Sequence, residues 1–221
     1  VDTDSHWNHR LDLLEHLRAA ASYPFAELAV TNDRGGLKPL LYGNALLSRW
    51  PIGHWEAHRF ACSTIWQKGA LWAEVALPTG DRLPVLNLHL DFASRRKRLR
   101  QVEETVALLH AKAQERSDGA SGRLLDPIVC GDFNARHAAS RDAVRHLHYH
   151  LPAEAGYTLV PRGARTFPAW LPTHGIDFVF VPRALSVHHH EVIRTRLSDH
   201  RPVLVVGEVG PSVATGNAAA G

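Results

Sequence analysis

Methionine is absent from all 221 residues, and cysteine occurs only twice, at Cys62 and Cys130. Two isolated thiols exclude the disulfide framework of a small secreted domain and a four-thiolate zinc site. Cys130 closes the apolar run Pro127-Ile128-Val129-Cys130, so both thiols are expected to be buried. No apolar run approaches the roughly 18 residues that a membrane-spanning helix needs. Neither sign of charge dominates: 25 Lys and Arg against 22 Asp and Glu leave +3, enough to steer anions but far from a packaging protein. With no methionine, Val1 reads either as a GTG start or as a cut inside a longer protein. No break in composition divides the chain, which predicts one domain over residues 1–209. Residues 210–221, small, polar and unpatterned, are expected to form a disordered tail.

What is present is a mixture of helical and strand patterns. Trp7, Leu11, Leu14, Leu17 and Ala21 recur at helical spacing after the cap candidates Asp4 and Ser5, predicting an amphipathic helix that ends before Pro24 and covers a sheet. Strand-like runs come next at 27–31, 44–48, 71–77 and 83–90, with Pro78-Thr79-Gly80-Asp81 as a hairpin turn between the last two. The longest helix is predicted from Ser94 to about Glu115, then a loop at Ser117–Gly122. A weaker helix spans Arg141–His148, and strands are expected at 127–130, 176–181 and 202–209. Hairpins beside crossovers indicate an α/β or α+β domain.

Polar side chains gather where the apolar runs end. In Gly131-Asp132-Phe133-Asn134 the glycine lets the chain turn, so that Asp132 and Asn134, two apart, share a pocket while Phe133 anchors the loop. A carboxylate and an amide oxygen suit Mg2+ or Mn2+. Asp177 begins a strand in Gly175-Ile176-Asp177-Phe178, where a carboxylate also serves simply to close a loop. Asp199-His200 sits on a turn before the Pro202 strand that can bring both to the pocket mouth. His89 ends the run Val85–Leu90, either as a satisfied core histidine or as a functional group. Asn44 opens Gly43-Asn44-Ala45-Leu46-Leu47-Ser48-Arg49 and either donates to a phosphate oxygen or shapes the turn. Trp170, in Thr166-Phe167-Pro168-Ala169-Trp170, either stacks on a substrate or anchors its loop. Arg95, Arg96, Lys97, Arg98 and Arg100 crowd the start of the long helix, against the helix dipole, and read as a solvated face or an anion contact. The runs 146–150 and 188–190 are rich in histidine but lack cysteines or a His-Glu-x-x-His pattern, so surface positions are expected.

Together with Leu86-Asn87-Leu88-His89-Leu90-Asp91, these motifs stand in the order carried by the endonuclease/exonuclease/phosphatase superfamily, the DNase I-like enzymes, which the chain resembles over nearly its whole length. The resemblance implies a four-layer α-β-β-α sandwich of two packed mixed sheets with the site at one end. It implies a metal-dependent phosphoesterase, foremost a nuclease-like phosphodiesterase, using Mg2+ or Mn2+. Its catalytic residues would be His89, Asp132, Asn134, Asp177 and His200, its metal ligands Asp132, Asn134 and Asp199, and its substrate contacts Asn44, His89 and Trp170. Asp132 would prepare a water, Asn134 position it, His200 held by Asp177 stabilise phosphoryl oxygens, and His89 assist the leaving group. A monomeric, cytoplasmic protein acting on a phosphate ester, nucleic acid among the candidates, is the matching expectation.

One departure stands at the start. The superfamily's first strand carries an Asn and its second ends in Gln-Glu-Val, whose Glu binds metal; Val1-Asp2 resembles the residues immediately after that Glu. An N-terminally incomplete fold lacking both positions is therefore expected, with a non-catalytic or incomplete relative as the rival reading. A phospholipid or inositol-phosphate headgroup hydrolase is a further rival. Inositol phosphatases place Asp-Arg directly after Pro-x-Trp, whereas Leu171–Ile176 separates Pro168-Ala169-Trp170 from Asp177 here. A lipid enzyme needs an apolar docking loop, for which Ala169-Trp170-Leu171 is the candidate.

Overall fold

The structure, a computed structural model, describes residues 1–115, 122–135 and 142–210. The loop expected at Ser117–Gly122 and the tail expected at 210–221 thus fall almost wholly outside the described residues, as does Arg141. Ten strands are described: β1 (Phe25–Arg34), β2 (Leu40–Ser48), β3 (Ile52–Arg59), β4 (Gly69–Ala76), β5 (Arg82–His89), β6 (Ile128–Asp132), β7 (Thr158–Val160), β8 (Asp177–Val181), β9 (Leu185–Val192) and β10 (Val203–Val209). Three helices accompany them, α1 (Leu13–Ala20), α2 (Arg95–Glu115) and α3 (Ala143–His150). No helix among them is long and apolar enough to cross a membrane.

The main sheet has the order β3-β4-β5-β6-β8-β7 and is mixed, since β5 and β6 run parallel while its other pairs are antiparallel. The parallel pair is joined through α2, the crossover that parallel strands require. Alternation of side chains splits the sheet into two faces. Leu86, Leu88, Leu90, Val129, Phe133, Phe178 and Phe180 point to one face and pack with Val102 and Leu109 of α2 and Val144 and Leu147 of α3 in the largest core. The residues between them, Asn87, His89, Cys130, Asp132 and Asp177, fall on the other face and remain partly exposed. β4 is buried on both sides, Trp72 toward the helices and Leu71 and Ala73 toward Ala29 and Leu46 of the β1–β2 hairpin.

The expected pair of mixed sheets takes a different form among the described residues. The layer opposite the helices consists of two separate antiparallel pairs, β1–β2 over β3, β4 and β5, and β9–β10 with β10 against β8. Each pair hydrogen-bonds within itself, and the chain start adds to the first: Val1 and Gly43 exchange bonds, and Asp2 bridges Tyr42. The first helix also differs from expectation. His9 and Arg10 adopt positive φ, which breaks the pattern into a short turn at His6–Asn8 and α1, capped by Asp12 accepting from the Glu15 amide rather than by Asp4 or Ser5. None of the residues of α1 is fully buried, and Leu11 just before it and Leu17 within it keep nearly half their surface in water, 48% and 45%. Both cysteines are free and only half-buried, contrary to expectation, since Cys130 points away from the helical core. Three strands had no clear sequence signal. β3 and β9 are largely exposed, polar and histidine-bearing, and β7 is three residues long.

A buried carboxylate joins the main sheet to α2. Asp91, with no exposed surface, accepts from the amides of Ser94 (2.7 Å), Ala93 (3.0 Å) and Thr64 (2.5 Å) and from the Thr64 hydroxyl (2.9 Å). Gln101 of α2 closes the same junction, accepting from Asp91 N and donating to Cys62 O. The basic run at the helix start is partly consumed here: Lys97 donates to Ser63 O, and Arg98 donates to Asp91 O and Phe92 O. Burial alone would raise the Asp91 carboxyl, but the bonds from Ser94, Thr64 and Ala93 outweigh it and hold it below the usual range. Its stabilisation is therefore complete above the ordinary carboxyl range and is lost as pH falls through the depressed folded value. Asp91→Ala should lower unfolding free energy at pH 7 by about 2–4 kcal/mol, the order expected for orphaning several buried donors, and should shrink the acid-side loss of stability. Denaturant midpoints at neutral and acid pH measure both, and a midpoint unchanged at pH 7 would remove this role from Asp91.

Candidate functional site

The strand registers alone bring three candidates side by side. His89 is the Cα partner of Asp132 across β5–β6, and Asp132 is the partner of Asp177 across β6–β8. Side chains paired across neighbouring strands on one face stand within reach of each other. Gly131 makes this approach possible: its φ is +137°, and a Cβ there would meet Leu88 O at 1.9 Å. Directly after it the chain leaves the strand, with Asn134 at φ +48°, a conformation that asparagine tolerates better than most residues. The Asn134 amide N donates to Asp132 Oδ1 at 2.8 Å, and its side-chain Nδ2 donates to Leu90 O at 2.9 Å.

His200 arrives from the loop before β10. Its Nδ1 lies 2.9 and 3.0 Å from the two Asp177 oxygens, and its ring packs on Phe167 with centroids 4.8 Å apart. Asp132, Asp177 and His200 each offer a ligand atom within 4.8 Å of the others, the one such group of acids, histidines and cysteines found among the described residues. They line an open pocket of about 390 Å³ with Cys130, Ser198 and Arg201. Two carboxylates on a pocket open on one side suit a hard divalent cation that completes its shell with water and phosphate oxygens.

The other candidates divide. His89 belongs to the site: its Nε2 lies 3.5 Å from Asp132 Oδ2. Asn44 reaches over β5, but its Nδ2 faces Asn87 O at 3.3 Å and Asn87 Oδ1 at 3.5 Å. Asp199 stands outside the group of three. It is exposed, its Oδ1 accepts from the Ser198 hydroxyl, and its carbonyl accepts from Ala169 N. The turn thus delivers His200 to the pocket and leaves its neighbour at the rim. Trp170 is 62% exposed. Asp2 and Asp4, the acids nearest the chain start, are engaged elsewhere: Asp2 accepts from Ser5 and Trp7, and Asp4 faces Arg10.

Sequence reasoning missed Lys68. Almost wholly buried, it places Nζ 2.9 Å from His89 Nε2. An ammonium can only donate, so His89 Nε2 is the acceptor and the neutral ring carries its proton on Nδ1. A lysine directly before the apolar strand Gly69–Ala76 was the available signal.

The charges interlock. Burial first, then repulsion by Asp177, push the Asp132 carboxyl up to about 6, despite the Asn134 amide and the cations His200 and Lys68. Burial opposes a charged His200, but the bond to Asp177 and the carboxylates of Asp177, Asp132 and Asp199 outweigh it and raise its pKa. Burial and then the Lys68 ammonium hold His89 down to about 3, so it is neutral at physiological pH. Burial also lowers Lys68, offset by Asp132 and Asp91.

Comparison with known proteins gives a consistent picture. Residues 2–200 match the model of the Endonuclease/Exonuclease/phosphatase family. The uncharacterised protein YbhP of Escherichia coli K12 is 31% identical over 172 residues, covering 73% of this chain and 61% of its own length. The chain thus spans about three fifths of the curated relatives it matches. Among solved structures, an endonuclease/exonuclease/phosphatase from Bacteroides vulgatus aligns with TM-score 0.67 and 20% identity over 92% of this chain and 87% of that one. A mannosyl-6-phosphatase from Bacteroides thetaiotaomicron gives TM-score 0.62 and 18% identity over 91% and 82%. The human Nocturnin catalytic domain with bound sulfate gives 0.60 and 17% over 90% and 78%. At these identities the likeness is one of fold.

The raised Asp132 and His200 share a sign. Each contributes stability that is complete below its unfolded pKa and is lost as pH rises through the folded value, about 6 for Asp132. Without metal, this pocket should strain the fold more at pH 8 than at pH 5, and a divalent cation should relieve the strain where Asp132 is ionised. Mn2+ should therefore raise the melting temperature by several degrees more at pH 8 than at pH 5, and Asp132→Asn should abolish most of that difference. Equal Mn2+ shifts at both pH values, or an unaltered Asp132→Asn response, would count against a metal at these residues.

Proposed function

We propose that this chain, which belongs to the endonuclease/exonuclease/phosphatase family, is a Mg2+- or Mn2+-dependent phosphoesterase whose substrate is a phosphodiester of the nucleic-acid type. The observation that carries the reading is the unbroken line His89, Asp132, Asp177, His200 across three adjacent strands and the loop before β10, at one end of the main sheet. The same reading takes residues 1–209 as one catalytic domain of the four-layer type.

Asp132 and Asp177 would hold the cation beside His200, with Asn134 and Asp199 nearby. When bound, such an ion neutralises charge on phosphoryl oxygens and makes a coordinated water more acidic. The remaining work falls to the side chains. Asp177 fixes the His200 ring through Nδ1, which leaves Nε2 for the substrate, as a carboxylate orients a histidine in other hydrolases. The bond to Asp177 and the neighbouring carboxylates favour the cationic form of His200, matched to charge that grows on the phosphoryl oxygens. Asp132, beside the cation, is the carboxylate placed to orient the attacking water and take its proton. With Nδ2 spent on Leu90 O, Asn134 offers its oxygen to position that water. At the leaving side, the Lys68–His89 pair supplies the positive charge, since His89 by itself is neutral.

His200→Ala should lower kcat on bis(p-nitrophenyl) phosphate by at least about a hundredfold, because it removes a group acting chiefly in the transition state, with little change in melting temperature. EDTA should abolish turnover, and Mg2+ or Mn2+ should restore it. Turnover that persists in EDTA, or His200→Ala at wild-type rate, would refute this chemistry. Absence of turnover on every phosphate ester tried, by the natural full-length protein with metal, would favour a binding relative.

A further inference from the structure

Beside the metal pocket lies a second groove, of about 330 Å³, lined by Ala169, Trp170, Arg194, Thr195, Arg196 and Arg201. Arg201 lines both, so the two are neighbours on one surface. The groove is built on the loops that position His200. Ala169 N donates to Asp199 O at 2.7 Å, Arg201 Nε donates to Ala169 O at 2.8 Å, and Arg201 N donates to Thr166 O at 2.8 Å. Three arginines thus line one small groove. Arg201 is tied to backbone, whereas the side chains of Arg194 and Arg196 are exposed and make no hydrogen bond or ion pair among the described residues. Neighbouring like charges with no counter-ion repel each other, and the repulsion is relieved when an anion sits between them. Guanidinium is the side chain best shaped for a phosphate, which it can grip with two parallel bonds. Trp170 forms one wall and is 62% exposed, leaving a broad aromatic surface beside the anion position. A phosphate next to a planar group is the repeat of a nucleic-acid strand, and stacking on an exposed indole requires an unpaired base.

We propose that Arg194 and Arg196 bind the phosphate adjacent to the scissile one in a single-stranded nucleic acid, with a base stacked on Trp170. The inference rests on the phosphoesterase reading for the position of the scissile phosphate and adds that the substrate is single-stranded and where its next phosphate and base lie. In this arrangement the strand runs from the Asp132–His200 pocket across Arg201 to the groove.

The test is binding first and turnover second. A fluorescein-labelled eight-nucleotide single-stranded DNA is titrated in EDTA, by anisotropy, with the full chain, with Arg194→Ala/Arg196→Ala and with Trp170→Ala, each checked for an unchanged melting temperature. Loss of the two arginines should weaken binding about tenfold and flatten the plot of log affinity against log salt by about 1.4, the slope of two single-strand phosphate contacts. Trp170→Ala should weaken binding about tenfold with the salt slope unchanged. With Mn2+, the ratio of kcat/KM for the oligonucleotide to that for bis(p-nitrophenyl) phosphate, which carries a single phosphate, should fall about tenfold in the arginine variant. Equal affinities for all three proteins, or an unchanged ratio, would overturn the groove. Inorganic tripolyphosphate competing as strongly as unlabelled oligonucleotide would overturn the nucleic-acid assignment, as would tighter binding to phosphatidylglycerol vesicles. Arginine-dependent binding without hydrolysis of any ester would support the groove while refuting the phosphoesterase reading, so the two failures are distinguishable.

Discussion

The in-register pairing of the ends of β5, β6 and β8 is the constraint on which the site depends. Because each residue pairs directly with the next across the ladder, His89, Asp132 and Asp177 cannot separate without slipping a strand. A slip of one residue would turn each to the opposite face and bring Leu88, Gly131 and Phe178 out of the core. Core packing against α2 and α3 therefore fixes the geometry of the polar face. Gly131 admits this register where any side chain would collide with the backbone of β5.

Such rigidity has an electrostatic consequence. Burial first, and then the Asp177 carboxylate held opposite it, push the Asp132 carboxyl up to about 6. The surrounding cations fall on two sides. His200 is bound to Asp177, and Lys68 is bound to His89, so each carboxylate has a positive group on its outer flank. On the proposed reading, a divalent cation sits between the acids and an anion beyond the bases. A phosphate ester with a bound hard metal has that distribution of charge.

The segments that present Lys68 and His200 are tied down by polar contacts. Asp91 and Gln101 clasp the segment around Cys62 and Thr64, whose continuation presents Lys68. The loop from Thr166 to Ala169 is laced to Asp199 and Arg201 by backbone bonds, so His200 and the arginine groove share one support. Binding in the groove and orientation at His200 are in this way mechanically linked through a few peptide groups.

Much of this was legible in the order of residues. Period-2 alternation in Leu86-Asn87-Leu88-His89-Leu90 sets a polar face against an apolar one, and the Gly-Asp-Phe-Asn, Ile-Asp-Phe and Ser-Asp-His motifs mark the strand ends where chemistry gathers. Helical periodicity located α2, and the turn at Pro78–Asp81 located a hairpin. These are local properties, set by the few residues around each position. Sequence could not decide that β9 and β10 pair with each other alone, that α1 begins at Leu13 after a left-handed break, or that Asp199 turns away while His200 turns inward. Nor could it show Lys68 against His89, or Arg194 and Arg196 beside Trp170. Those depend on contacts between residues far apart along the chain, whose closeness is created only when the sheet and its loops pack. The sequence determined the residue types and the face each strand residue occupies, and the tertiary structure decided which side chains meet, because distance in space rather than spacing in the chain governs charge, hydrogen bonding and ligand reach.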